Sequence, residues 1–219
     1  QPKSDISLGT KELVTKSSKL KFPILLRPSY VLGGRMMEKM ANLDDVQDYI
    51  DQNYWALENN VILIDEFLQN AKEVDVDVLR DNQGNTMIAG IMEHIEEAGI
   101  HSGDSACSIP PFSLNDKIIS DIKKFSISLV NELKILGLMN IQYAIKDDEI
   151  FILEANPRAS RTIPFLAKAI GIPFIKIAAE LIVGKILTEE YQNFDNNTLP
   201  YFAIKEAVFP INKFPNTDV

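Results

Sequence analysis

Two periods of hydrophobic and polar positions alternate along this chain, and the switches between them lay out its elements. Residues 10–20 repeat apolar positions at helical spacing and stop near Pro23. Residues 23–27 (PILLR) form a short apolar strand, and residues 36–40 resume a strand after the intervening loop. Residues 44–57 are helical by period, and residues 61–67 (VILIDEF) are strand-like. Residues 73–79 (EVDVDVL) alternate strictly, with acids on one face and Val/Leu on the other, as in an edge strand whose carboxylates are solvated. Asp81-Asn82-Gln83-Gly84-Asn85 is turn chemistry, so residues 86–93 should return as the hairpin partner. Residues 95–112 are irregular. Ser113 is a suitable N-cap for a helix running to about residue 136, with Gly137 as its stop. Residues 138–145 and 149–155 read as a second hairpin and 156–162 as a loop. Helices follow at 162–169 and 173–183, and a last strand at 201–208. Hairpins mixed with helices give an α+β fold.

Composition narrows the classes. In 219 residues, 46% are hydrophobic and 24% charged, so the chain can bury a core and is not a disordered segment. No apolar run approaches the roughly 18 residues of a membrane span. A net charge of −9 disfavours a nucleic-acid binder, which needs a basic footprint. Cys107, the single cysteine, has no internal disulfide partner; a reducing, cytoplasmic setting and a structural thiol fit it. The 22 basic residues include just five arginines (27, 35, 80, 158 and 161), and four of them fall in two short loops. Arginine's rigid fork matches phosphate and carboxylate, so this placement points to an anionic ligand.

Four constellations could carry chemistry. Arg27-Pro-Ser-Tyr-Val-Leu-Gly-Gly-Arg35 follows an apolar strand, and its paired glycines would let backbone amides approach an anion, although the spacing is not a Walker A motif. Glu154 and Asn156 lie two apart on a strand and share a face, just before Arg158 and Arg161. A carboxylate and an amide with arginines behind them suit a metal–triphosphate complex. Gln142 joins them if the hairpin turns through an odd loop at 146–148, which pairs 142 with 152. The stretch 93–105 holds both histidines, His94 and His101, in oxygen-rich text without zinc-ligand spacing. In the row Glu73-Val-Asp-Val-Asp77, Glu73 stands nearest the loops and is the member allotted a ligand role.

Together these segments resemble the large-chain family of carbamoyl phosphate synthetases, within the ATP-grasp superfamily. The resemblance is carried by RPSYVLGGR (27–35), EVDVDV (73–78), MEHIEEAGIHSGDSACSIPP (92–111), GLMNIQYAI (137–145), EANPRASRTIPF (154–165) and NKFP (212–215). It implies an ATP-grasp fold of two α+β lobes with the nucleotide between them, here residues 1–90 and 91–219. It implies an ATP-dependent ligase that phosphorylates carbamate, because MEHIEEAGIHSGDSACS and NPRASRTIPF are similar to the second of the family's two synthetase halves. The alternatives are the bicarbonate-phosphorylating half, another ATP-grasp ligase, or a non-catalytic nucleotide-binding module.

Roles follow from the resemblance residue by residue. Arg27 would reach the phosphates, under a loop holding Gly33, Gly34 and Arg35. Leu68 would offer backbone to adenine, Glu73 would bind ribose, and His101 and Ser102 would lie near the nucleotide. Gln142, Glu154 and Asn156 would hold Mg²⁺ or Mn²⁺, and Arg158 and Arg161 the phosphoryl group and substrate. A K⁺ site would use Glu73, His94, Glu96, Glu97, Ile100 and Ser105; Glu97 departs from a Gln common in the family. The implied partners are the remainder of the large chain and a separate or fused glutaminase. The implied setting is pyrimidine or arginine biosynthesis. The chain then reads as an excised core, expected to bind nucleotide weakly and not to turn it over alone.

Overall fold

The structure, a computed structural model, describes residues 1–29, 36–100, 104–195 and 199–207. Gly33, Gly34, Arg35, His101 and Ser102 therefore lie outside the described residues. The chain divides into two compact units, 1–69 and 70–219. The division expected at 90/91 would cut a continuous strand, Thr86–Glu97, in the middle of its ladder.

The first unit contains β1 (Ser4–Leu8), α1 (Leu13–Ser17), β2 (Ile24–Pro28), β3 (Glu38–Met40), α2 (Leu43–Leu57) and β4 (Val61–Glu66). Its antiparallel sheet runs β1-β4-β2-β3. Alternation puts Ile24 and Leu26 of β2, with Ile62 and Ile64 of β4, on one buried face, where Leu13, Val46 and Leu57 from the helices cover them. Asn42 caps α2, its Oδ1 accepting from the Asp44 and Asp45 amides at 2.8 and 3.0 Å. The helix expected over 10–20 is reduced to α1. On either side the backbone closes tight i→i+3 turns instead, Leu13 N to Thr10 O and Leu20 N to Ser17 O.

The second unit contains β5 (Lys72–Arg80), β6 (Thr86–Glu97), β7 (Cys107–Ile109), α3 (Asp116–Glu132), β8 (Gly137–Lys146), β9 (Glu149–Asn156), α4 (Ile163–Ile170), α5 (Phe174–Ile182), α6 (Glu189–Gln192) and β10 (Ala203–Lys205). Its antiparallel sheet has the order β10-β7-β6-β5-β8-β9, so β5 is central. On one face Val74, Val76 and Val78 pack with Ile141, Tyr143 and the α3 residues Ile118, Ile122 and Val130. On the other, Leu79, Met87 and Leu138 pack against Ile163 and Leu166 of α4 and Phe174 and Leu181 of α5. That second core covers one end of the face. The other end carries the row Glu73, Asp75, Asp77, which is buried rather than solvated. The expected edge strand is thus the middle of the sheet.

Two local details differ from the sequence reading. Asn115, not Ser113, caps α3, with its Oδ1 accepting from Ile118 N at 2.9 Å. Ser113 is engaged elsewhere: its amide and hydroxyl both donate to the buried Glu93 carboxylate. The helix also ends at Glu132, before the expected 136. Lys134 takes a left-handed φ of 49°, with Lys134 N bonded to Asn131 O and Ile135 N to Val130 O. That pair of bonds closes a Schellman motif.

Candidate functional site

The central strand, its neighbours and the loop after β9 assemble a polar surface in the second unit. Registers on β5, β8 and β9 create two cross-strand rows. Asp75 stands opposite Gln142 and Gln142 opposite Glu154; Asp77 stands opposite Asn140 and Asn140 opposite Asn156. Directly opposed residues in antiparallel strands point to the same face. Gln142, Glu154 and Asn156 are therefore brought together as the sequence required, but not by the expected turn.

The connection is the two-residue turn Asp147-Asp148, both with positive φ (50° and 61°), between the paired Lys146 and Glu149. These angles are those of a type I′ turn. That register, continued unchanged, would set Gln142 opposite Leu153. A bulge intervenes, because Tyr143 pairs with Ile152 while Gln142 pairs with Glu154. Leu153 is the extra residue, and it returns Glu154 to the face of Gln142.

Around this face the polar atoms are unequally satisfied. Asp77 is fully buried: its Oδ1 accepts from Asn140 Nδ2 at 3.2 Å, and its Oδ2 from Ser160 Oγ at 2.9 Å and Thr162 Oγ1 at 2.8 Å. Burial pushes its carboxyl up to about 6 against the pull of those three donors. Asp75 Oδ2 accepts from His94 Nε2 at 3.0 Å, while Asp75 Oδ1 has no hydrogen-bond partner among the described residues. His94 Nδ1 is equally unpartnered, 3.9 Å from Glu73 Oε1. Glu73 Oε2 accepts from Gly99 N at 3.0 Å; burial raises the Glu73 carboxyl, and the charges of Asp75 and Glu154 add to that rise. Asn156 Nδ2 is also buried without a partner among the described residues.

The raised Asp77 carboxyl fixes the sign of one pH effect. Its folded value of about 6 lies above the ordinary 3.8, so folding favours the protonated form. The resulting stabilisation is fully present below about pH 4 and is lost as pH rises through 6. Comparing Asp77→Asn with the parent by urea unfolding, the parent should gain roughly 1 kcal/mol relative to the variant between pH 7 and pH 5. Equal pH responses would contradict the raised carboxyl.

The residues assigned to a monovalent cation are partly gathered. Glu73 and His94 face each other, and the segment after β6 folds back on them. Ser105 Oγ donates to Ile100 O at 3.4 Å, and Ala106 N to Glu96 Oε2 at 2.8 Å. Glu97 is exposed at the end of β6, opposite Lys72. Among the described residues no group of three or more His, Cys, Asp or Glu side chains is disposed to hold a metal ion. Any ion here would depend on backbone, hydroxyl and amide oxygens, or on ligand phosphates. The buried Glu73 carboxylate, with His94 Nδ1 3.9 Å away, adds one charged oxygen to such a set, and the spare amide of Asn156 beside exposed Glu154 suits a metal–phosphate group.

The arginines have separate fates. Arg27 belongs to β2, and its Nε and Nη2 each lie 2.7 Å from Asp65 Oδ2, so its guanidinium is held by the first unit's own sheet. Arg158 and Arg161 are exposed in the loop between β9 and α4; Arg158 N donates to Asn156 O at 2.8 Å and its Nη1 to Ala159 O at 3.2 Å. Arg80 is structural, reaching Asn131, Asp81 and Ile135. Leu68 lies in the strandless segment after β4, one residue before the first unit ends. Cys107 is buried and its thiol pushed up to about 11 by that burial, which makes it inert at neutral pH.

Sequence reasoning missed Asp75, Asp77, Asn140, Ser160 and Thr162. One signal was available for the acids. A strand that is partner to one hairpin and neighbour to another sits inside a sheet, where an acidic face cannot stay solvated without a cleft.

Residues 2–190 match the family described as carbamoyl-phosphate synthase L chain, ATP binding domain. Carbamoyl phosphate synthase large chains from Nostoc sp. and Archaeoglobus fulgidus are 46% and 49% identical over the whole of this chain. The chain spans about a fifth of the length of those relatives. Among solved structures, the biotin carboxylase β,γ-ATP complex from Campylobacter jejuni superposes with a TM-score of 0.73 at 16% identity, over 87% of this chain and 44% of that one. The biotin carboxylase domain of Hydrogenobacter thermophilus 2-oxoglutarate carboxylase, solved with MgADP and bicarbonate, gives 0.71 at 16% identity, over 93% and 46%. The fold is thus the α+β ATP-grasp fold that the resemblance implied, and its neighbours add that it is of the biotin carboxylase kind. Among the described residues no helix is long and apolar enough to cross a membrane.

Proposed function

We propose, from the premise that this chain belongs to the carbamoyl-phosphate synthase large-chain ATP-binding-domain family, that it binds ATP and phosphorylates carbamate as part of a carbamoyl phosphate synthase. The observation that carries the reading is the register that lines up Gln142 with Glu154 and Asn140 with Asn156, with Arg158 and Arg161 immediately beyond. Preference for carbamate over bicarbonate rests on the similarity of MEHIEEAGIHSGDSACS and NPRASRTIPF to the second synthetase half.

Under this reading Gln142, Glu154 and Asn156 hold Mg²⁺ or Mn²⁺. When bound, that ion supplies charge neutralisation across the nucleotide phosphates. Glu154 contributes the negative charge, and the two amides add oxygens without further repulsion. Asn156 Nδ2 has a proton to offer a phosphate oxygen. Arg158 and Arg161 orient the transferring phosphoryl group and offset charge that grows as the carbamate oxygen attacks in line. No covalent enzyme intermediate is required. Glu73 and His94, with Glu96, Glu97, Ile100 and Ser105, would hold K⁺; Arg27, Gly33, Gly34, Arg35, Leu68, His101 and Ser102 would contact the nucleotide. The glutaminase and the rest of the large chain supply ammonia and the preceding chemistry. The isolated 219 residues then bind nucleotide without turning it over.

A partial-reaction assay tests the assignment. In the complete enzyme, Glu154→Gln in this segment should abolish ATP formation from ADP and carbamoyl phosphate and spare bicarbonate-dependent ATP hydrolysis. The reverse pattern would assign the segment to the bicarbonate step.

A further inference from the structure

We infer that Asp77 is a positioning residue, which acts through Ser160 and Thr162 to fix the loop segment that presents Arg161 to the phosphoryl group. The inference rests on the nucleotide-binding reading above and extends it to a residue that touches no ligand. Arg161 is exposed, yet its two neighbours in sequence are tied down: the hydroxyls of Ser160 and Thr162 both donate to one oxygen of the same buried carboxylate, at 2.9 and 2.8 Å. Ser160 Oγ also accepts from Ile163 N at 3.1 Å, which couples the loop to the first residue of α4.

The other carboxylate oxygen accepts from Asn140, the residue directly opposite Asn156. Asp77 is therefore bonded to the proposed phosphate-binding loop through its two hydroxyls, and to the β8 residue that stands across from Asn156, from the central strand of the sheet. A charged acceptor at this place binds its donors about twice as strongly as a neutral one. It does so at a cost in burial, which shows in the carboxyl pushed up to about 6. An apolar residue would fill the same space without that cost, so packing alone does not account for an acid here.

The test is a double-mutant cycle on binding of Mg²⁺, ADP and fluoroaluminate, a mimic of the transferring phosphoryl group, in the complete protein that carries this chain. Asp77→Ala should weaken the fluoroaluminate complex about tenfold and leave MgADP affinity within about twofold. In an Arg161→Gln background the same substitution should add less than about twofold. Asp77→Asn should restore part of the loss, since an amide oxygen still accepts from both hydroxyls, though more weakly than a carboxylate, once Asn140 turns its own amide. Additive losses, or equal losses for ADP and the fluoroaluminate complex, would make Asp77 purely structural. If Asp77→Ala does not fold, Ser160→Ala replaces it in the same cycle with the same criteria. Loss of the site reading itself shows differently: Glu154→Gln would leave MgADP affinity unchanged, which overturns this inference with it.

Discussion

Glu154→Gln is expected to lower magnesium-dependent ATP affinity at least tenfold while leaving the melting temperature of the ligand-free chain unchanged or slightly raised. The side chain is exposed on β9, so its stem holds up no core. Burial raises the Glu73 carboxyl and the negative charge of Glu154 adds a smaller rise, so removing that charge relieves a slight repulsion. Mg²⁺ in nucleotide sites relies on one or two carboxylates plus the substrate's phosphates, and an amide of the same shape cannot replace the charge. Calorimetric titration of ATP with and without magnesium, beside a thermal melt, separates the two effects. A variant that keeps wild-type affinity would remove the carboxylate from the site.

Phe174→Ala should do the opposite, costing about 3–5 kcal/mol of stability with no direct effect on the polar face. Phe174 opens α5 and is fully buried in the core that joins α4 and α5 to Leu79 and Leu138 of the sheet. Its ring lies 6.4 Å from that of Phe194 at a tilted angle of 58°. Truncation removes the transfer free energy of the ring and leaves a cavity that helices pinned by short connections close poorly. In a unit of this size the melting temperature should fall by roughly 10 °C. Urea unfolding of the variant measures the same loss, and a cost below about 1 kcal/mol would mean the core reorganises freely.

The contrast shows where the sequence was legible. The polar residues of the second hairpin were found because Glu154-x-Asn156 is a local pattern, and strand alternation assigns its face directly. Their alignment with Gln142 was found for the wrong reason. Nothing in KDDE marks a two-residue turn over a three-residue one, since Asp tolerates a left-handed backbone, and the bulge at Leu153 depends on how β9 meets its neighbour. The acidic row was misjudged because β5 is interior only once β8, from more than fifty residues further along the chain, pairs with the edge that its hairpin partner β6 leaves open. Ser113 lost its cap role to Asn115 through a partner twenty residues away, Glu93. Strands of three residues, β7 and β10, exist by pairing alone and carry too few positions to show a period.

The central claim is that this polar face holds a metal–nucleotide complex. The most direct measurement is the thermal midpoint of the wild-type chain with ATP and Mg²⁺, against ATP with EDTA. With ligand at about a hundredfold over its dissociation constant, the claim predicts a stabilisation of about 2.7 kcal/mol with magnesium. It predicts almost none with EDTA, and a further increment on adding K⁺. Equal stabilisation in both conditions, or none in either, would contradict it.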